Sequence, residues 1–177
     1  MSKVLIAGIG NVLLGDDGVG PFVIKLLEAR YDFPENVELA DLGTPALDLP
    51  LHLSGADAVI LVDSANFSGA PGDIRLFRKA DILRIPPRLR IDPHSPALSE
   101  SLAQLELMGN MPSDLLLIGM QGRQFDAGST LSPAVRQCVP HIIDAVTREL
   151  YRLGVRCVPK SKAMWPRIWW DHTKIAA

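Results

Sequence analysis

Cysteine is nearly absent from this chain. Cys138 and Cys157 are the only two in 177 residues, and neither stands in a C-x-x-C or other metal-ligand spacing. A disulfide framework and a thiolate metal site are therefore unsupported, and both cysteines read as packing residues. Long apolar runs are missing too. None reaches the roughly 18 residues that span a bilayer, and no basic region, apolar core and cleavage site follow one another at the N-terminus, so a cytoplasmic protein with no membrane partner is expected. Charge of one sign is also scarce. A net charge of -2 and a pI near 6.1 leave no cationic footprint, and no nucleic-acid partner is expected. Finally, neither H-E-x-x-H nor G-x-S-x-G occurs. Cys138 falls in a predicted helix rather than on an exposed turn, so no local signature of a serine or cysteine peptidase surrounds a nucleophile.

What is present is a regular alternation of apolar runs and helical patterns in a chain with 47% hydrophobic residues, enough for one well-buried domain, placed at residues 1–159. Lys3–Ala7, Val37–Ala40, Ala58–Val62 and Leu115–Ile118 read as strands of a mostly parallel sheet. Asp73–Arg78, after the turn signal Gly69-Ala70-Pro71-Gly72, is a fifth strand and the candidate for an antiparallel edge. Helices are predicted from about Gly18 to Tyr31, between Ala46 and Leu53, from the Ser95-Pro96 cap through Met108, and from the Ser132-Pro133 cap to about Leu153. Pro140 is expected to kink or split the last of these. The fold class is α/β, a three-layer α/β/α domain whose ligands gather at the carboxyl ends of the strands.

The segment Gly8-Ile9-Gly10-Asn11-Val12-Leu13-Leu14-Gly15-Asp16-Asp17-Gly18-Val19-Gly20 follows the first strand, where α/β domains often hold phosphate. Leu13 occupies the place of the third glycine of a dinucleotide fingerprint, and Asp16 and Asp17 would repel a pyrophosphate. The loop suits a cation, with the positive end of the following helix facing its acids. Asp63, at the end of the third apolar run, and His94, in the loop Ile91-Asp92-Pro93-His94, fall at comparable positions. Two carboxylates and one imidazole offset a divalent charge, suit nickel or zinc, and leave coordination positions open. Each residue alone has a plainer reading: Asp17 as a helix N-terminal acid, Asp63-Ser64 as a turn or cap, His94 as an ordinary loop histidine. His52 and His141, within predicted helices, read as surface or packing residues, and His172 is unassigned.

The combination resembles the hydrogenase maturation endopeptidases. The resemblance rests on Gly8-Ile9-Gly10-Asn11 with Leu14, Asp16, Asp17-Gly18 and Gly20, on Asp41-Leu42-Gly43-Thr44, on Val62-Asp63 and on Pro93-His94. Gly109-Asn110-Met111-Pro112, Ile118-Gly119-Met120-Gln121 and Leu131-Ser132-Pro133-Ala134-Val135 look like the family's later segments, so it covers roughly residues 3 to 158. It implies an endopeptidase that removes a C-terminal extension from the precursor of a nickel-iron hydrogenase large subunit after nickel insertion, with the substrate's own nickel as recognition element. It implies Asp17, Asp63 and His94 as both metal ligands and catalytic residues, and Asp41 as a supporting acid of the cleft. The expected partner is the large-subunit precursor, and the protein is expected to act as a monomer. A non-enzymatic checkpoint that senses nickel in the precursor is the alternative, and a Rossmann-type nucleotide binder the more distant one.

Residues 160–177 form a separate tail beyond the reach of the resemblance. It holds Lys160, Lys162, Arg167 and Lys174 against one acid, Asp171, and all three tryptophans, Trp165, Trp169 and Trp170. Apolar groups seek burial, so the tail is expected to fold back on the domain, and gripping a precursor is its alternative role.

Overall fold

The apolar runs form the strands of a five-stranded sheet in the computed structural model, which describes residues 2–84, 98–162, 165, 166 and 168–171. His94, the Ser95-Pro96 cap, Arg167, His172 and Lys174 lie outside the described residues. The strands are β1 (Val4–Ile9), β2 (Tyr31–Asp32), β3 (Val37–Gly43), β4 (Ala58–Ser64), β5 (Ile74–Arg78), β6 (Asp114–Met120) and β7 (Val158–Pro159). The helices are α1 (Val19–Arg30), α2 (Leu49–Leu53), α3 (Lys79–Arg84), α4 (Leu98–Leu107) and α5 (Pro133–Arg152).

The main sheet runs β3-β1-β4-β6-β5. β1 pairs in parallel with β3 and β4, β4 pairs in parallel with β6, and β5 lies antiparallel against β6 at the edge. The three-layer α/β/α domain with one antiparallel edge strand is thus what forms. β2 and β7 make a separate antiparallel pair, each too short to leave a periodic signal in the sequence.

Strand alternation divides the core in two. Val4, Ile6, Ile60, Val62, Leu116 and Ile118 face α1 and α5, whereas Leu5, Ala7, Val59, Leu61 and Leu115 face Leu49 and Leu53 of α2, Ile82 of α3 and Leu102 and Leu105 of α4. With both faces covered, the central strands need apolar residues throughout, which is why they read as continuous runs. Three helices differ from expectation. The second is a 3-10 turn, Ala46–Asp48, running into the short α2; α3 carries too few turns to show a period; and α5 continues through Pro140. In α5 the buried stripe from Val135 to Leu150 and the Ser132 cap, whose hydroxyl accepts from the Val135 N–H, hold the helix in one piece despite the missing donor.

The described part of the tail lies across α1 and α5. Trp165 meets Phe22 edge to face at 6.3 Å with Arg30 over its ring, Ile168 is buried, and Asp171 accepts from both Nη atoms of Arg136 at 3.0 and 2.6 Å. This cover explains why α1 is buried on most of its circumference rather than on one stripe.

One topological fact positions the site. From β1 the chain passes to β3 on one side, then crosses back to β4 on the other. The chain leaving the carboxyl end of β1 thus goes to β3 on one side, the chain leaving the carboxyl end of β4 goes to β5 and β6 on the other, and between those two strand ends an open α/β sheet leaves a crevice.

Candidate functional site

Close backbone approach builds this crevice. Gly10 has φ +136°, and a Cβ on it would lie 1.8 Å from the Asp17 carbonyl oxygen. A Cβ on Gly20 would lie 2.3 Å from the Ile9 carbonyl oxygen and 2.4 Å from that of Val62. Only glycine fits either place, and so the start of α1 rests directly on the ends of β1 and β4. The 3-10 turn Gly15–Gly18 that leads into α1 then sets Asp17 against the end of β4.

Two donors fix the Asp17 carboxylate. Its Oδ2 accepts from the Asn11 backbone N–H and its Oδ1 from the Ser64 hydroxyl, both at 2.7 Å. Asp17 is not a helix cap: Gly18 is the N-cap of α1, and no side chain caps it. Asp63 is likewise no turn residue. It is a strand residue of β4, registered against Gly119, with Ser64 against Met120. Burial pushes the Asp63 carboxyl well above the ordinary aspartate range; the Asp17 carboxylate adds to this, and the Ser64 backbone N–H partly opposes it.

No ion pair reaches Asp17 or Asp63 among the described residues, and no third His, Cys, Asp or Glu there completes a metal-binding group. Two interacting acids with no described counter-cation suit a divalent ion, whose charge would offset the burial and the repulsion that raise Asp63. His94 lies outside the described residues. The elements on either side of residues 85–97, α3 and α4, pack on the sheet face towards which alternation turns Asp63.

The other acids of the opening segments are placed differently. Asp16 is fully buried, and it takes four hydrogen bonds from the N–H groups of Arg123, Gln124 and Ser132 and the Ser132 hydroxyl, at 2.7 to 3.0 Å. It pins the loop after β6 and the start of α5 rather than facing the crevice. Asp41 lies two residues before the end of β3, one strand beyond β1, exposed, accepting from the Gly43 N–H at 3.1 Å. Two strand spacings separate its strand from that of Asp63, about 10 Å.

The cysteines are packing residues. Cys138 is buried in α5, its thiol pushed up to about 11 by burial with the Asp16 charge adding, and Cys157 is half-buried against the same core. Neither is a thiolate nucleophile at neutral pH. His52 and His141 are exposed on α2 and α5. Ser64 and Asp16 are the polar residues whose roles the sequence did not disclose. The signal was there for one of them, since a serine closing a strand of Val, Ile and Leu needs a polar partner.

Fold and site together define a doubly wound α/β domain with a paired-carboxylate crevice at its switch point. The family model described as HycI, hydrogenase maturation protease, matches residues 21–149. The hydrogenase expression/formation protein HupM of Azotobacter chroococcum mcd 1 is 33% identical over 159 residues, which cover 89% of this chain and 76% of that protein. The hydrogenase 2 maturation protease of Escherichia coli is 29% identical over 162 residues, 89% of this chain and 96% of that one. The solved structure of the hydrogenase maturating endopeptidase HybD from E. coli superimposes with a TM-score of 0.83 at 29% identity, covering 90% of this chain and 98% of that one. The chain belongs to the hydrogenase maturation protease family, a family of hydrolases of endopeptidase type.

Proposed function

We propose that this protein cleaves the C-terminal extension from a nickel-iron hydrogenase large-subunit precursor once nickel has been inserted, and that the bound nickel is what it recognises. The observation that carries the reading is the pair Asp17 and Asp63 at the switch point, whose charges act on one another and which have no ion-pair partner among the described residues. Nickel in the substrate would supply that charge, so a loaded precursor is preferred over an empty one. Asp17 and Asp63, with His94 as third donor, hold the metal of the substrate at the crevice. The scissile carbonyl or an attacking water is polarised there, and a carboxylate of the pair assists proton transfer. Family membership supports cleavage, and the buried Cys138 thiol disfavours a cysteine route.

In this reading the metal belongs to the substrate, the protein works as a cytoplasmic monomer, and the described part of the tail completes the domain. No helix among the described residues is long and apolar enough to cross a membrane. The test is incubation with nickel-loaded and nickel-free precursor, followed by mass spectrometry. Release of a C-terminal peptide from the loaded form alone is expected. Equal cutting of both removes the nickel requirement, and binding without cutting would favour a checkpoint role.

A further inference from the structure

Ser64 follows Asp63 at the end of β4 and donates to the other acid of the site. Its hydroxyl reaches Asp17 Oδ1 at 2.7 Å. The side chain is only 3% exposed, at the end of a strand whose preceding residues Ile60, Leu61 and Val62 are buried hydrocarbons. A valine or alanine would continue that pattern with no polar group to satisfy. A serine there spends its hydroxyl on an acid 47 residues earlier in the chain, on the turn that leads into α1.

The Asn11 N–H anchors the other oxygen, Oδ2, so Asp17 is held at two points. With one anchor left, the carboxylate pivots about the Asn11 bond, and Oδ1 no longer has a fixed place against the end of β4. Positioning of this kind matters most where a reacting group must be met in a narrow range of geometry.

We propose that Ser64 is a positioning residue for the cleavage reaction: its hydroxyl fixes the orientation of the Asp17 carboxylate relative to Asp63, while it touches neither substrate nor metal. The inference rests on the function proposed above and deepens it.

The test compares Ser64→Ala with the shape-matched pair Ser64→Thr and Ser64→Val, measured on nickel-loaded precursor for kcat and KM and on the free protein for thermal midpoint. Loss of a hydrogen bond to a charged group predicts that Ser64→Ala and Ser64→Val each lower kcat by about 10-fold or more. KM should change less than kcat, because Asp17 is only one of the proposed contacts to the precursor while its orientation bears on the reacting geometry. Ser64→Thr, which keeps the hydroxyl, should recover most of kcat at the same thermal midpoint as Ser64→Val. Equal rates for Thr and Val overturn the proposal, as does a loss carried by KM alone. Should Ser64→Ala fail to fold, the Thr and Val pair still decides, since the two differ only in the hydroxyl. Wild-type protein that leaves the loaded precursor uncut would instead remove the proposed function. The carboxyl-carbon NMR signal of Asp17 then tests the positioning alone: it should move in Ser64→Val and stay in Ser64→Thr, and an unmoved signal in both overturns it.

Discussion

The two ends of strands β4 and β6 treat carboxylates in opposite ways. At the end where β6 begins, Glu149 of α5 has a side chain only 5% exposed, and it is met by Arg78 from the end of β5 at 2.5 and 2.8 Å and by Arg152 at 2.7 and 3.0 Å. Arg152 also pairs with Asp114. Burial pushes the Glu149 carboxyl up, and the hydrogen bonds and charges of the two arginines outweigh it, leaving the group below its ordinary value. At the other end, about 17 Å away along five residues of β6, Asp63 is raised by the same burial and by a second acid, with no ion pair to an arginine or lysine among the described residues. Desolvation acts on both groups, but among the described residues only Glu149 is answered by cations. Acids neutralised at one end of the sheet and left without a described counter-charge at the other are the arrangement that the proposed engagement of the substrate's nickel requires.

The sharpest way to break this comparison is to remove one acid from each end. Asp17→Ala and Asp63→Ala should each lower processing of nickel-loaded precursor by about 100-fold or more, with the fold retained, because metal engagement and proton transfer both run through the pair. A normal cleavage rate in either variant, by mass spectrometry over time, would end the assignment. Glu149→Ala should do the reverse. It leaves Arg78 and Arg152 without their shared acceptor and costs about 2 kcal/mol, below the range for a fully buried pair because the two arginine side chains are 42% and 45% exposed and keep Asp114. For a chain of this size that is a fall of about 4–8 °C in the thermal midpoint. Its kcat at 25 °C should be unchanged. A catalytic defect in folded Glu149→Ala would mean that the two ends are coupled.

The same comparison sets opposite pH dependences. The folded pKa of Asp63 lies above its unfolded value, so the stability linked to it is full at acidic pH and is lost as pH rises through the folded value. Asp63→Asn, which stays neutral, should therefore gain on the wild type with rising pH, reaching about 1 kcal/mol near neutrality, the usual scale for relieving a functional site. Glu149 lies below its unfolded value, so its contribution is full above about pH 4.3 and disappears as pH falls through the folded value. Glu149→Gln should lag the wild type at neutral pH and converge with it in acid. Melting curves of both variants between about pH 3 and 8 test the signs, and parallel slopes would contradict them.

Much of the site-bearing framework was legible because it depends on local signals. Apolar runs announced the strands, and Gly10 and Gly20 marked places where chain segments had to touch. Asp17 and Asp63 could be singled out because each follows or ends a predicted strand. Asp16 and Asp17 could not be told apart, since neighbours in a 3-10 turn have the same composition and opposite directions: one turns inward to amides 107 to 116 residues away, the other towards β4. The Arg78, Asp114, Glu149 and Arg152 cluster was equally invisible. Its members come from three elements whose juxtaposition depends on the antiparallel edge strand and on the register of α5.

The smallest effect is expected from Asp41, and it sharpens the comparison most finely because Asp41 sits at the same end of the sheet as the paired acids. If any acid at that end contributed through charge alone, Asp41→Asn would impair cleavage much as loss of Asp17 does. Its carboxylate is exposed, two strands from Asp63, and engaged in a local turn with Gly43, a bond that asparagine also makes. Water and salt screen an exposed charge at about 10 Å, roughly one Debye length, so its influence on the pair is weak. Asp41→Asn should thus change kcat/KM for the loaded precursor by less than about threefold, the discrepancy shrinking as salt is raised. A loss approaching that of Asp63→Ala, unaffected by salt, would bring Asp41 into the metal-engaging set and make the crevice a three-acid site spanning β3, β1 and β4.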